Sequence, residues 1–294
     1  MANQVISDEL IASIERYHLK TRSIVEGFMV GLHKSPYHGF SVEFADHRQY
    51  IPGDPIKNID WKLFAKTDRY YLKRYEEETN VRCYMLLDHS LSMSYTSGDT
   101  TKLDYAKQLS AAIAYLIVKQ KDALGLITFA DEITNHLPPK AYQGYLNLIF
   151  EKLLTLTAVS TTDTLKALHK AAESLKKRSL IILFTDLLDE PTKLMEGLKH
   201  FKFNHHEVLV FHILDKEERD FNFKGETQFV DSETGQKITV NPWQIKNDYQ
   251  ETYQNYIKTI KSECLQSGIE YNPIDTSIAI EDNLLKYLYK RSLF

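Results

Sequence analysis

The chain has 294 residues, 43% of them hydrophobic and 26% charged, which is ordinary for a globular protein and too apolar for a disordered one. Its 36 basic side chains against 40 acidic ones leave a formal net charge of −4, so, a local basic patch aside, nothing in the balance points to nucleic acid as a partner.

The N-terminus, MANQVISDEL, lacks the basic start and apolar run of a secretory signal. Residues 8–19 place Leu10, Ile11, Ile14, Tyr17 and His18 on one face, which predicts a short amphipathic helix. Residues 26–60 are rich in Gly, Pro, His and aromatics without a sustained period, and read as an ordered, loop-rich segment. From Tyr70 the pattern becomes regular. A strand is expected at 81–87 (VRCYMLL), ending at Asp88, and a helix over 102–121 with Leu103, Ala106, Leu109, Ile113, Leu116 and Ile117 inward. Strands at 124–130 and 132–137, joined by a turn at Asp131, precede helices at 141–156 and 163–177. The fully apolar run Leu180–Thr185 reads as a strand buried on both faces. A helix at 191–202, a strand at 207–214, a hairpin over 225–240, a helix at 242–266, a strand at 269–274 and a helix at 280–290 complete the series. Strands alternating with helices predict an α/β fold: a doubly wound, mainly parallel sheet between helices, with a loop-rich N-terminal segment. The expected division is 1–80 for the N-terminal helix and loop-rich segment, packed on a main domain of 81–294. The longest apolar run, Ala111–Val118, is too short to cross a bilayer, so a cytoplasmic protein without a membrane span is expected.

The stretch LLDHSLSMS, after the first strand of the main domain, carries the chemistry. Asp88, Ser90 and Ser92 are spaced by two, and in an extended loop side chains at that spacing point the same way. Carboxylate and hydroxyl oxygens suit a hard cation such as Mg2+, with Mn2+ or Ca2+ as substitutes, and not zinc. Thr162 and Asp163 in STTDT and Asp186 in FTDLLD offer further oxygens. Ligands of doubly wound sheets bind beyond the carboxyl ends of the strands, where Asp88 and Asp186 both fall. Two such carboxylates on neighbouring strands would repel, and a divalent cation would neutralise both. The competing expectation is that these residues are turn and cap residues.

The series DHSLSM, a Thr before a mid-domain helix, and TD closing a later apolar strand resembles the metal-ion-dependent adhesion site of von Willebrand factor A domains. The resemblance implies a mainly parallel sheet of about six strands and a metal held by Asp88, Ser90, Ser92, Thr162 and Asp186. The chain has Ser160 and Thr161 where that family often has glycines before the Thr, and Leu187 where it often has Gly. Ahead of the site, GFSVEFADHRQYIPGDPIKNIDWKLFAK resembles the signature of bacterial proteins grouped as domain of unknown function 58. The matching residues are Gly39, Glu43, Phe44, Arg48, Tyr50, Gly53, Asp54, Ile59, Asp60 and Trp61, with Lys57 and Lys66 where Arg is common. Glu43, Arg48, Asp54 and Asp60 alternate in sign among aromatics and read as a buried ion-pair network that fixes the loops, in preference to a docking surface, because Gly53, Asp54 and Trp61 look like turn and packing residues.

The function expected is that of a non-enzymatic protein-binding module, whose metal engages an Asp or Glu of a protein partner. The family resemblance further implies work beside a MoxR-type AAA+ ATPase in assembling or maturing other proteins. Two alternatives stay open. A metal-dependent phosphoester hydrolase would need a base from His89, Asp163 or Asp189, and a metal-free scaffold is suggested by Ser160, Thr161 and Leu187. No P-loop and no G-x-S-x-G is present. The eleven histidines lack metal-ligand spacing and read as surface residues, and Cys83 and Cys264 as reduced, mostly buried thiols.

Overall fold

The structure, a computed structural model, describes residues 42–51, 54, 59–77, 81–159, 164–231 and 235–292. They divide into two units at Val81 and Arg82. The amphipathic helix expected at 8–19 lies outside the described residues.

In the smaller unit β1 (Val42–Gln49) and β2 (Tyr71–Glu77) pair antiparallel, with α1 (Trp61–Thr67) between them in sequence. The loop-rich expectation for 26–60 is thus corrected over 42–49. A bulge between Phe44 and Asp46 breaks the period-two alternation that would have announced this strand. The Asp60 carboxylate caps α1, accepting the amides of Lys62 (3.0 Å) and Leu63 (3.1 Å). Asp54 accepts the Ile51 amide at 3.0 Å, as a turn residue does. Trp61 does not pack inward: it is 56% exposed and meets Phe64 edge-on. The expected ion pairs of Glu43 and Arg48 lie outside the described side chains.

The larger unit contains β3 (Arg82–Asp88), α2 (Lys102–Lys119), β4 (Ala123–Phe129), β5 (Ile133–Lys140), α3 (Gln143–Thr155), α4 (Thr164–Ser174), β6 (Leu180–Thr185) and α5 (Pro191–Phe203). After these come β7 (Glu207–Leu214), α6 (Lys216–Asp220), β8 (Thr227–Val230), β9 (Lys237–Val240), α7 (Pro242–Gln266), β10 (Glu270–Asp275) and α8 (Ile280–Ser292). Six strands form one sheet in the order β10-β7-β6-β3-β4-β5, parallel except for the edge strand β5, while β8 and β9 form a separate hairpin. This is the doubly wound, mainly parallel six-stranded sheet expected, with β3 at its centre beside β6.

Both faces of the sheet are apolar. On one face Tyr84 and Leu86, Ile181 and Leu183, and Val208 and Val210 pack against α4, α5 and α7 through Leu168, Leu198 and Ile260. The alternate residues, such as Met85, Leu87, Ile182, Phe184 and Phe211, are buried on the other face. There α2 crosses the sheet, and Phe211 meets Tyr287 of α8. Gly125 is needed for close approach: a Cβ there would come within 2.7 Å of the Leu137 carbonyl oxygen and 2.9 Å of the Tyr84 ring. Both cysteines are free and buried, as expected. Among the described residues no helix is long and apolar enough to cross a membrane.

Candidate functional site

Asp88 closes β3 and Asp186 follows β6, and the two strands are neighbours, so two acidic side chains stand together at the carboxyl edge of the sheet. The sheet pleat then separates their surroundings. Asp88 continues the Tyr84–Leu86 row, and opposite it Thr185 continues the Ile181–Leu183 row, so these two meet: the Thr185 hydroxyl donates to Asp88 Oδ2 at 2.7 Å. The Ser90 amide donates to Asp88 Oδ1 at 2.9 Å. Asp186 belongs to the opposite row, the one that faces α2, and there Lys102 Nζ donates to its Oδ2 at 2.8 Å.

The loop after Asp88 is not extended, as its spacing suggested, but winds into a 3-10 turn over Leu91–Ser94. The turn still brings the two hydroxyls together, with Ser90 Oγ 3.0 Å from Ser92 Oγ. Ser90 is buried whereas Ser92 is half-buried, so the cluster opens on the Ser92 side. Thr162 and Asp163 lie outside the described residues. The chain leading to them passes beside the site, for the Val159 amide donates to the His89 carbonyl at 3.0 Å.

Electrostatics divide the two aspartates. Burial, and then the nearby Asp186 charge, push the Asp88 carboxyl up to about 7, against the opposing pull of its hydrogen bonds from Ser90 and Thr185. Burial pulls the Lys102 ammonium down, but Asp186 and Glu218 outweigh it and raise it above the ordinary lysine range. Glu218, from α6, completes this pair at 2.8 and 2.9 Å, and burial raises its carboxyl.

The second loop is held from behind. His212 is buried and pushed down to about 4 by burial, so it stays neutral. Its Nε2 donates to the Asp186 carbonyl at 2.8 Å, which leaves Nδ1 to accept from the Tyr271 hydroxyl at 2.7 Å. Leu187, where the resemblance leads one to expect Gly, holds the left-handed backbone a glycine would supply, at φ 51°, and buries its side chain in the core. The Tyr256 hydroxyl lies against the carbonyls of Leu187 and Asp189.

The surface reading of the histidines is corrected for His89, His206 and His212, all buried. Each meets backbone carbonyls or hydroxyls, which satisfies an imidazole in an apolar core. His89 is a case in point: Nδ1 donates to the Thr157 carbonyl and Nε2 lies 2.9 Å from Thr134 Oγ1, so the ring turns away from Ser90. The spacing arguments also passed over Lys102, Thr185, Glu218 and His212. Lys102 alone left a sign in the chain, as a cation directly after the Thr101 cap, where the first turn of a helix favours acids.

The donors suit a hard cation. Adjacent ligands of an octahedral Mg2+, with bonds of about 2.0–2.1 Å, stand about 3 Å apart, which is the separation of the Ser90 and Ser92 oxygens. Among the described residues no group of three or more His, Cys, Asp or Glu side chains is arranged to hold a metal, so any such site relies on the hydroxyls.

The family described as "Protein of unknown function DUF58" matches residues 46–258. The chain belongs to that family. Uncharacterized proteins of Mycobacterium tuberculosis and Mycobacterium bovis are 21% identical to it over 246 residues, 82% of this chain and 77% of theirs. Among solved structures it is similar to a conserved hypothetical protein BatB of Bacteroides thetaiotaomicron, at 16% identity and TM-score 0.47 over 73% of this chain and all of that one. An aerotolerance-related membrane protein of Bacteroides fragilis aligns at 19% and 0.47 (71% and 99% of the two chains), and the VWA domain of SpRpn10 at 16% and 0.43 (70% and 94%).

Proposed function

We propose that this DUF58 chain is a non-enzymatic protein-interaction module whose contact point is a Mg2+ ion, with Mn2+ or Ca2+ as substitutes. Ser90, Ser92, Asp88 and Asp186 would hold the ion, together with Thr162, the last by resemblance alone. One observation carries the reading: the serine hydroxyls meet at ligand spacing beside Asp88, at the carboxyl end of the strand next to the one that Asp186 follows. Bound there, the cation would supply an electrophilic position for a partner's Asp or Glu. The chain's own part is positional. Thr185 and the Ser90 amide aim Asp88, while His212 anchors the Asp186 backbone. We further propose that the partner is a MoxR-type AAA+ ATPase or a protein matured with one. His89, committed to Thr157 and Thr134, offers no general base, which favours this reading over a phosphoester hydrolase.

A metal-free scaffold is the second reading, favoured by Lys102, whose ammonium already neutralises Asp186. Calorimetric titration with Mg2+ and Mn2+ separates the two. The parent chain is expected to give a binding heat that Asp88→Ala abolishes; equal heats, or none from either chain, would overturn the metal reading.

A further inference from the structure

Lys102 is not one of the residues the proposed metal site calls for, yet it is paired with one of them, Asp186. Its side chain is fully buried (0% exposed) at the first position of α2. That position sets a cation against the positive end of the helix dipole and strips it of water, two unfavourable terms at once. Both are offset locally: Asp186 and Glu218 each lie 2.8 Å away, and the Tyr95 ring 5.7 Å away. Asp186 Oδ2 therefore already has a positive partner, while among the described residues Asp88 is met by the neutral donors of Thr185 and Ser90.

We propose that Lys102 is the built-in counter-ion of the site and sets its affinity for divalent cations. It neutralises Asp186, so the site folds with no divalent ion present. An incoming cation must then compete with the ammonium for that carboxylate, which keeps binding weak and occupancy reversible. Glu218 makes the exchange feasible: when a cation claims Asp186, Lys102 keeps both Glu218 oxygens within 2.9 Å and is never left bare. Lys102 thus sets the affinity of the site without needing to touch the metal. This inference rests on the metal reading of Asp88, Ser90, Ser92 and Asp186.

The test is Mg2+ titration of the full chain by calorimetry, with thermal melting in the presence and absence of Mg2+. The chains compared are the parent, Lys102→Met, and the double variant Lys102→Met/Glu218→Gln. The double variant leaves the net charge of the Lys102–Asp186–Glu218 group unchanged, so it isolates the contact from the general field. Both variants are expected to bind Mg2+ about tenfold more tightly than the parent, or more, since one competing charge at close range is worth at least that in a buried site. Lys102→Met is also expected to melt below the parent without metal and to gain more from added Mg2+. If it does not fold, the double variant carries the titration alone. Parent and variants binding with the same constant would overturn this inference and leave the metal site standing. Binding by the variants but not by the parent would overturn both readings for the natural chain, since Lys102 would then block the site instead of tuning it. No binding by any chain would remove the metal reading, and this inference with it.

Discussion

Asp88 and Asp186 make a natural experiment. Both stand at the ends of adjacent parallel strands in one sheet, and they are 2% and 3% exposed. Yet Asp88 is held by an amide and a hydroxyl and is pushed up to about 7, whereas Asp186 is paired with an ammonium. The difference comes from the pleat. One residue of offset turns Asp88 toward Thr185 and turns Asp186 toward α2 and Lys102. Equal burial therefore does not mean equal partners, and what a buried carboxylate can bind depends on which face its row supplies.

The largest expected effect breaks this contrast on the Asp88 side. A carboxyl whose folded value lies above its unfolded one favours the fold while protonated. Its contribution is fully present below about pH 4 and is lost as pH rises through about 7. Raising a carboxyl from its ordinary range to about 7 corresponds to roughly 4 kcal/mol. Asp88→Asn should remove that dependence, so the metal-free variant should be the more stable chain at pH 8 and should gain little at pH 4. Urea unfolding at both values measures it, and parallel pH profiles for the two chains would refute the assignment.

A smaller effect sharpens the Asp186 side. Leu187 buries its side chain but holds left-handed backbone. Leu187→Ala and Leu187→Gly both lose the packing of a buried leucine, about 2–5 kcal/mol. Only the glycine relieves the backbone, by about 1 kcal/mol, so Leu187→Gly should be the more stable of the two. Equal stabilities by chemical denaturation would show that no strain resides there.

The smallest effect concerns Ser92, half-buried and bonded at its side chain to Ser90. Ser92→Ala should change metal-free stability by no more than about 1 kcal/mol. It should nonetheless weaken Mg2+ binding measurably in calorimetry. An unchanged affinity would remove Ser92 from the proposed ligands.

Much of the sheet was legible in the chain, because a parallel strand buried on both faces must be apolar along its whole length, as Leu180–Thr185 is. The positions of Asp88 and Asp186 followed from the same fact: each stands where an apolar run stops. The β1 strand was not legible, since its bulge breaks the alternation and its partner lies beyond α1. Nor was the bend of the Ser90–Ser92 loop, whose 3-10 turn has no sequence period of its own.

By itself, then, the sequence determined the order and type of the main strands and helices and the two acidic strand ends, because these depend on neighbours along the chain. Only the tertiary structure decided that β3 and β6 lie side by side, that His89, His206 and His212 go inside, and that Lys102 is buried against Asp186 and Glu218. Those outcomes depend on which distant residues supply the balancing charge or hydrogen bond. Asp186 lies 84 positions from Lys102 and Glu218 lies 116, and no local pattern records a pairing across that separation.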